Sequence, residues 1–309
     1  MNVAAKRNRD ISSRNPMNRG DRLFDTINMI FWVIIFAIIA YPLWFIIIAS
    51  ISDYEAVYQG KVLLWPVGFS LSGYAELFKS SEFVRSYLNS IAYTVLGTAI
   101  SVMITLMAAF SLTQKFKGKG VVLFIIIFTM FFSGGLIPSF LINRALGLYN
   151  NPLALVILNA VNVFNIMVAR TYMATNVPNE LYEAAYIDGA SQYHCFFKVA
   201  IPLSGVLVTV LSVYYGVARW NDYFTALVYI RDRSWLPLQT ILREAIASVS
   251  STASSLMEQG DGYDIAAMTR KAELLKYCSI VVSSAPMIAL YLILQKYFVK
   301  GVTIGSLKG

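Results

Sequence analysis

The chain has 309 residues, 57% of them hydrophobic and 14% charged, with a net charge of +8 and a mean hydropathy of +0.61. Soluble domains carry about a quarter charged residues, so this composition excludes a water-soluble globular enzyme and predicts an integral membrane protein. The positive charge is gathered in a few short segments, which argues against nucleic acid as a partner.

A membrane-spanning helix needs roughly 20 mostly apolar residues, because the hydrocarbon core is ~30 Å thick and each residue rises ~1.5 Å. Six segments meet that requirement: Ile27–Ile51, Tyr87–Thr113, Val121–Ile142, Pro152–Tyr172, Val199–Tyr229 and Leu274–Tyr297. Helices are expected because lipid leaves backbone groups unsatisfied in any open structure. The short alternating segments of a β-barrel do not occur. An all-α bundle of six transmembrane helices is the predicted fold class.

Residues 1–26 are rich in Asn, Arg and Ser and read as a basic tail without fixed structure, attracted to anionic lipid. The apolar run that follows is too long for a signal peptide and has no small-x-small cleavage site after it, so it is expected to stay as the first span. Residues 27–309 then form one bundle with no internal repeat. Lys6, Arg7, Arg9, Arg14, Arg19 and Arg22 precede span 1, Lys115, Lys117 and Lys119 fill the loop after span 2, and Lys296, Lys300 and Lys308 close the chain. All three groups fall on one side, and the positive-inside rule makes it the cytoplasm, with both termini inside.

Span 2 carries Ser90, Thr94, Gly97, Ser101, Thr105 and Ala108 along one helical face, the small-residue seam through which membrane helices pack closely. Span 5 repeats the pattern with Thr209, Ser212, Gly216 and Arg219. In span 4, Asn159, Asn162 and Asn165 recur every third residue and place three amides on one arc at membrane depth. Amides there are costly unless paired or wetted, so they either bond to other helices or line a polar path. Arg219 and Asp222 are spaced to pair locally. The outer loop after span 5 contains "WLPLQTILREAIASV", which reads as a short helix following Pro237, and then the flexible run "SSTASS".

Spans 1 to 3 hold no ionisable residue between their ends, too thin an inventory for an ion-coupled carrier. No GxxxxGK[ST] phosphate loop occurs. His194 stands alone, and Cys195 and Cys278 lack metal-ligand or CxxC spacing. The chain is therefore read as having no catalytic residue, no metal ligand and no bound cofactor. Energy, if used, must arrive from another subunit.

Residues 183–202, "EAAYIDGASQYHCFFKVAIP", interrupt the apolar pattern on the cytoplasmic side. Asn179 is placed to cap a helix whose first turn holds Glu180 and Glu183. That helix is expected to run to about Asp188, where Gly189 takes a left-handed turn. Ser191 then caps a second helix running to Pro202. Ala184 and Ala185 leave room for a close approach from outside, and Glu183 offers a charge. The plainer reading is an amphipathic connector at the membrane surface.

The spacing Glu183-Ala184-Ala185, Gly189, Val199-Ala200-Ile201-Pro202 resembles the EAA loop of ABC importer permeases, departing only in the conservative Val199 and Ile201. "SYLNSIAYT", "KFKGKG", "WNDY" and the ending "LQKYFVKGVTIGSLKG" are similar to carbohydrate-uptake permeases of the maltose-permease type, above all the second permease of oligosaccharide systems in Gram-positive bacteria. The resemblance covers roughly residues 25–309.

It implies the type I ABC-importer permease (MetI-like) fold in the plasma membrane, with coupling helices at about 179–198. Implied partners are a related second permease, two ATPase subunits that bind ATP and Mg, and an extracellular, lipid-anchored solute-binding protein. Glu183, Ala184, Ala185, Gly189 and Pro202 take the coupling role. Asn159, Asn162 and Asn165, with Tyr215 and Trp220 as stacking surfaces, are candidates for a sugar path. Arg170 and Arg219 are compatible with an acidic, uronate-containing oligosaccharide. A permease of the same architecture for a peptide or glycerol phosphate is the alternative, followed by an ion-coupled secondary transporter.

Overall fold

The computed structural model of the protein describes residues 19–245, 247, 274–293 and 295, all in helices, turns or loops. Lys6, Arg7, Arg9 and Arg14, the run "SSTASS", the acidic residues Glu258, Asp261 and Asp264, and the basic end with Lys296, Lys300 and Lys308 lie outside the described residues. The chain forms two compact units that divide after Ser70.

In the first unit, helix α1 (Arg19–Ser50) is apolar along nearly its whole length and contains Pro42. It begins at Arg19, so the last part of the expected tail is helical instead. Before its last turn its apolar side chains, among them Trp32, Phe36 and Ile38, are largely exposed, as a surface meeting lipid or another helix requires. Beyond it, α2 (Tyr54–Tyr58) is capped by Asp53, which accepts from the Glu55 N–H. Ile48, Ala56 and Val62 form a small core, and Trp44 Nε1 donates to the Leu64 carbonyl at 2.9 Å.

The second unit is built on α4 (Ser81–Thr113), which follows α3 (Ser72–Lys79). At ~1.5 Å per residue its length is about 50 Å, enough to cross the bilayer with turns to spare. Ser80 caps it, accepting from the Phe83 N–H. The seam expected from the sequence is present: Ser90, Gly97, Ser101 and Thr105 are buried, with Thr94 and Ala108 half-buried. Against α4 pack α8 (Val163–Asn176) and α11 (Gly205–Trp220). Thr105 and Tyr215 share a hydrogen bond of 2.7 Å across the α4–α11 contact.

Three of the expected spans are not continuous rods. Span 3 is α5 (Lys119–Phe131) and α6 (Leu136–Ala145), bent by 115° at the Ser-Gly-Gly break between them. Span 4 is α7 (Leu153–Ile157) followed by α8, parted at residues 158–162. Span 5 is α10 (Gln192–Leu203), α11 and α12 (Phe224–Tyr229), with an 83° bend at Ser204. Among the described residues, the continuous helices long and apolar enough to cross a membrane are Arg22–Ser50, Ser81–Thr113 and α14 (Leu274–Ile293), with the bent pairs α5–α6 and α10–α11 as two more candidates. Hydropathy sums over a window and is blind to such breaks.

Packing at the start of the unit depends on Gly73 in α3, where an added Cβ would lie 2.6 Å from Cys278 Sγ and 3.1 Å from Leu274 Cγ of α14. Overpacking of this kind costs about 1–3 kcal/mol. Gly73→Ala is expected to lower the thermal unfolding midpoint of the detergent-solubilised protein; an unchanged midpoint would disprove the close approach.

Candidate functional site

The loop between α8 and α11 folds as a two-helix foot. Its first helix, α9 (Asn179–Ile187), starts at Asn179 itself, with Pro178 in the cap position and no side-chain cap, which corrects the expectation that Asn179 caps it. Pro178 cannot continue a helix backwards, and its missing N–H is one the helix start would leave free anyway. At the other end Gly189 has φ +79°. The Gly189 N–H donates to the Tyr186 carbonyl, and the Ala190 N–H donates to the Ala185 carbonyl at 2.9 Å. Together these form a Schellman turn, which fixes the exit direction of the chain at a residue where only glycine is unstrained.

Ser191 caps α10 as expected, accepting from the His194 N–H. Within α10 the residues Cys195–Ala200 widen to π-helical bonding, and the Ile201 N–H reaches back to Phe196. The widened turn lies directly before Pro202, which lacks the N–H that an α-helix would use there. The chain then bends at Ser204, so Pro202 belongs to the foot and not to the spanning helix α11.

What fastens the foot is a single ring. Phe110, near the end of α4, meets Tyr182 of α9 edge to face at 5.8 Å and Phe196 of α10 at 5.4 Å. Met173, Cys195, Ala200, Leu207 and Leu211 close round them, and Ala185 and Ala190 pack against the same core. Burial, followed by the nearby Cys195 and Tyr186, pushes the Tyr182 phenol up to about 12. Its hydroxyl is buried without a hydrogen-bond partner. Arg170 of α8 donates from Nε to the Leu112 carbonyl at the end of α4, where a cation suits the helix dipole; its place is structural. The opposite face of the foot is open: Glu183 and Ala184 are exposed, Ile187 is 86% exposed and Tyr193 75%.

The candidate path residues do not share one arc. Asn159 sits in the break between α7 and α8 at φ +59°, exposed, with its Nδ2 donating to Thr225 Oγ1 at 3.4 Å. Asn162 is exposed too and caps α8, its Oδ1 accepting from the Asn165 N–H at 3.0 Å. Only Asn165 is buried. Both candidate stacking rings are packed away: Tyr215 lies in the core that holds the foot, and Trp220, 3% exposed, donates from Nε1 to the Ser283 carbonyl at 2.9 Å and meets Tyr87 edge to face.

Arg219 and Asp222 form no ion pair. Arg219 Nη1 donates to the Leu155 carbonyl at 2.9 Å, at the end of the short helix α7, while Asp222, one residue before the cap position of α12, accepts from the Thr225 N–H in its first turn. The broken helix exposes a backbone acceptor that α11 then satisfies.

Sequence reasoning passed over the residues that pin the chain beyond α12. Asn89 Nδ2 donates to the Ser234 and Leu236 carbonyls, Tyr93 Oη to the Trp235 carbonyl, and the Leu238 N–H to Ser90 Oγ at 2.7 Å. Asn150 Oδ1 accepts from the N–H groups of Arg231 and Asp232. Arg233 bridges Glu82 at 2.7 Å and Glu244 at 3.1 Å, exposed pairs worth about 0–1 kcal/mol each. The expected helix after Pro237 is present as α13 (238–245). Between α11, α13 and α14 lies a cavity of about 570 Å³. No group of metal-ligating side chains occurs among the described residues.

If the Phe110 contact is made by the Tyr182 ring and not its hydroxyl, Tyr182→Phe is expected to shift stability by less than about 1 kcal/mol, since it removes an unsatisfied polar group. Tyr182→Ala is expected to cost about 3–5 kcal/mol. Thermal unfolding of the two variants decides this, and equal losses would contradict it.

The comparisons with known proteins agree with one another. Residues 68–304 match the family model for the binding-protein-dependent transport system inner membrane component. The chain is similar to the polygalacturonan/rhamnogalacturonan transport system permease protein YtcP of Bacillus subtilis, 35% identical over 94% of this chain and 99% of that one. It is similar to protein LplC of the same organism, 36% identical over 94% and 97%. Among solved structures it resembles a chain of a bacterial ABC transporter involved in the import of the acidic polysaccharide alginate, with TM-score 0.81, 35% identity and coverage of 91% and 98%. With an all-α, MetI-like permease fold and a family match spanning most of its length, this chain belongs to the family of binding-protein-dependent transport system inner membrane components.

Proposed function

We propose that the chain is one of two related permease subunits of an ATP-driven importer for oligosaccharides that contain uronate units. It sits in the plasma membrane of a Gram-positive bacterium as six spans, counting the two bent pairs and the interrupted α7–α8, with both termini in the cytoplasm. Two ATPase subunits carry the ATP and Mg, an extracellular, lipid-anchored solute-binding protein delivers the sugar, and this subunit performs no chemistry itself. The domain division follows: a basic cytoplasmic tail over 1–26, continuing into the helix that starts at Arg19, and a permease domain over 27–309 whose coupling helices lie at about 179–198.

The observation that carries the reading is the foot. A Schellman turn presents Glu183, Ala184 and the exposed Ile187 and Tyr193 outward, while Tyr182 and Phe196 grip Phe110 on the inner side. An apolar patch beside exposed carboxylates suits insertion into a groove of another protein. Because the grip ties the foot to α4, α8 and α11, a displacement of the foot moves those helices as a body. Alternating access is such a rigid-body shift between two states, with ATP binding supplying the differential free energy.

For the sugar, support comes from the relatives. One is named for polygalacturonan and rhamnogalacturonan, polymers that contain uronate, and one structural neighbour serves an acidic polysaccharide. Asn159 and Asn162, exposed at the break in span 4, offer amides to sugar hydroxyls, with Asn165 behind them; Tyr215 reaches a sugar only if the helices part, while Trp220, though nearly buried, lines the cavity between α11, α13 and α14.

Glu183→Lys in the assembled importer is expected to lower ATP-driven oligosaccharide uptake at least tenfold and to reduce copurification of the ATPase subunits, with the chain still present in the membrane. Gly189→Val, which forces a left-handed conformation costing about 1–2 kcal/mol, is expected to act in the same direction. Normal uptake in both variants would remove the foot from the mechanism. Absence of any saccharide uptake by the unaltered importer would remove the carbohydrate.

A further inference from the structure

We propose that the cavity between α11, α13 and α14 is a binding site for one acidic sugar unit, in which Arg243, held over the Tyr223 ring, receives the carboxylate. This rests on the oligosaccharide reading above and places the charge recognition of that function on named residues.

The cavity, about 570 Å³, falls within the range of roughly 300–1,000 Å³ that small-molecule sites occupy. It opens at the end of α11 remote from the foot, beside the segment 231–245 that is stitched to α4. In the proposed orientation this is the side from which the solute arrives. Its lining combines an aromatic wall, Trp220 and Tyr223, with the polar groups of Asn221, Gln239, Arg243 and Ser284. Sugars present that same combination, with apolar C–H faces and a rim of hydroxyls. The wall is fixed in advance, because the Trp220 N–H is already bound to the Ser283 carbonyl and cannot turn to a ligand. Asn221 uses its Nδ2 on the Val217 carbonyl, which leaves its amide oxygen to accept from a hydroxyl.

Arg243 gives the site its sign. Its guanidinium carbon lies 4.2 Å from the centroid of the Tyr223 ring. No carboxylate among the described residues pairs with it, since the neighbouring Glu244 is taken by Arg233. A contact with a ring face takes up none of the guanidinium's N–H donors, and its N–H fork matches a carboxylate with two parallel hydrogen bonds. The side chain is also oriented before any ligand binds, which reduces the ordering that binding requires. An unpaired, pre-oriented cation at the rim of an aromatic and amide-lined cavity selects an anionic sugar over a neutral one.

The test uses the complete importer with its solute-binding protein in lipid vesicles. Uptake of galacturonate and mannuronate trisaccharides is compared with uptake of their carboxyl-reduced, neutral counterparts, for the wild type and for Arg243→Gln, Arg243→Lys and Tyr223→Phe. Arg243→Gln is expected to raise the half-saturating concentration of the acidic trisaccharides about tenfold, the scale of one charge-assisted pair, so that the acidic-to-neutral preference falls by the same factor. Arg243→Lys should retain part of the preference and Tyr223→Phe nearly all of it, with equal amounts of assembled complex in every case.

Unchanged preference in Arg243→Gln overturns the site while leaving the oligosaccharide reading intact, as does an equal loss for acidic and neutral sugars, which would mark Arg243 as structural. A wild type that imports only neutral sugars overturns the acidic specificity alone. A wild type that imports none of the trisaccharides overturns both readings. If the effect of Arg243→Gln disappears in vesicles without anionic phospholipid, the cavity holds a lipid phosphate and the proposal is wrong.

Discussion

The ring contacts of Phe110, edge to face with Tyr182 and tilted with Phe196, are what make the foot part of the bundle. Ring pairs of this geometry contribute about 0.5–1.5 kcal/mol beyond their buried area, and here they come with a closed shell of Met173, Cys195, Ala200, Leu207 and Leu211. Without that grip, α9 and α10 would be an amphipathic loop lying on lipid. With it, the exposed face carrying Glu183, Ile187 and Tyr193 is one end of a rigid lever whose shaft is α4.

The same helix connects the other end. Ser90, Asn89 and Tyr93 of α4 hold residues 234–238 by hydrogen bonds, and about six helical turns later Phe110 holds the foot. In the proposed mechanism a movement imposed at the foot reaches the segment that borders the cavity through this one continuous helix. The small-residue seam on α4 lets α8 and α11 lie close enough to travel with it. Structure and mechanism meet in that rod: the groups proposed to meet the ATPase and those proposed to meet the sugar are attached to opposite ends of it.

Broken spans set the second constraint. Each interruption of a membrane helix leaves backbone groups that lipid cannot satisfy, so irregular backbone is tolerated only inside protein or beside water. The break in span 4 is answered from three directions: Arg219 supplies a donor to the Leu155 carbonyl, Asn162 caps α8, and Asn159 reaches Thr225. Residues that looked like a charge pair and a polar stripe are thus first of all the repair of a discontinuity. Exposed amides at such a break are also well placed to meet a solute.

The sequence by itself determined the helical membrane character, the seam on α4, the position of Gly189 and the cap at Ser191. These are local properties: apolar length, side-chain size at a period of about 3.6, and the conformational freedom of one residue type are all carried by near neighbours in the chain. The Glu-Ala-Ala foot was readable for the same reason. Only the tertiary structure decided where spans 3, 4 and 5 break, that Asn159, Asn162 and Asn165 do not share a face, that Tyr215 and Trp220 are buried, and that Arg219 serves Leu155 and not Asp222. Each of these depends on a partner more than 60 residues away or on a bend that redirects every residue after it. Periodicity along the chain carries no record of which distant carbonyl or ring will be there to receive a side chain.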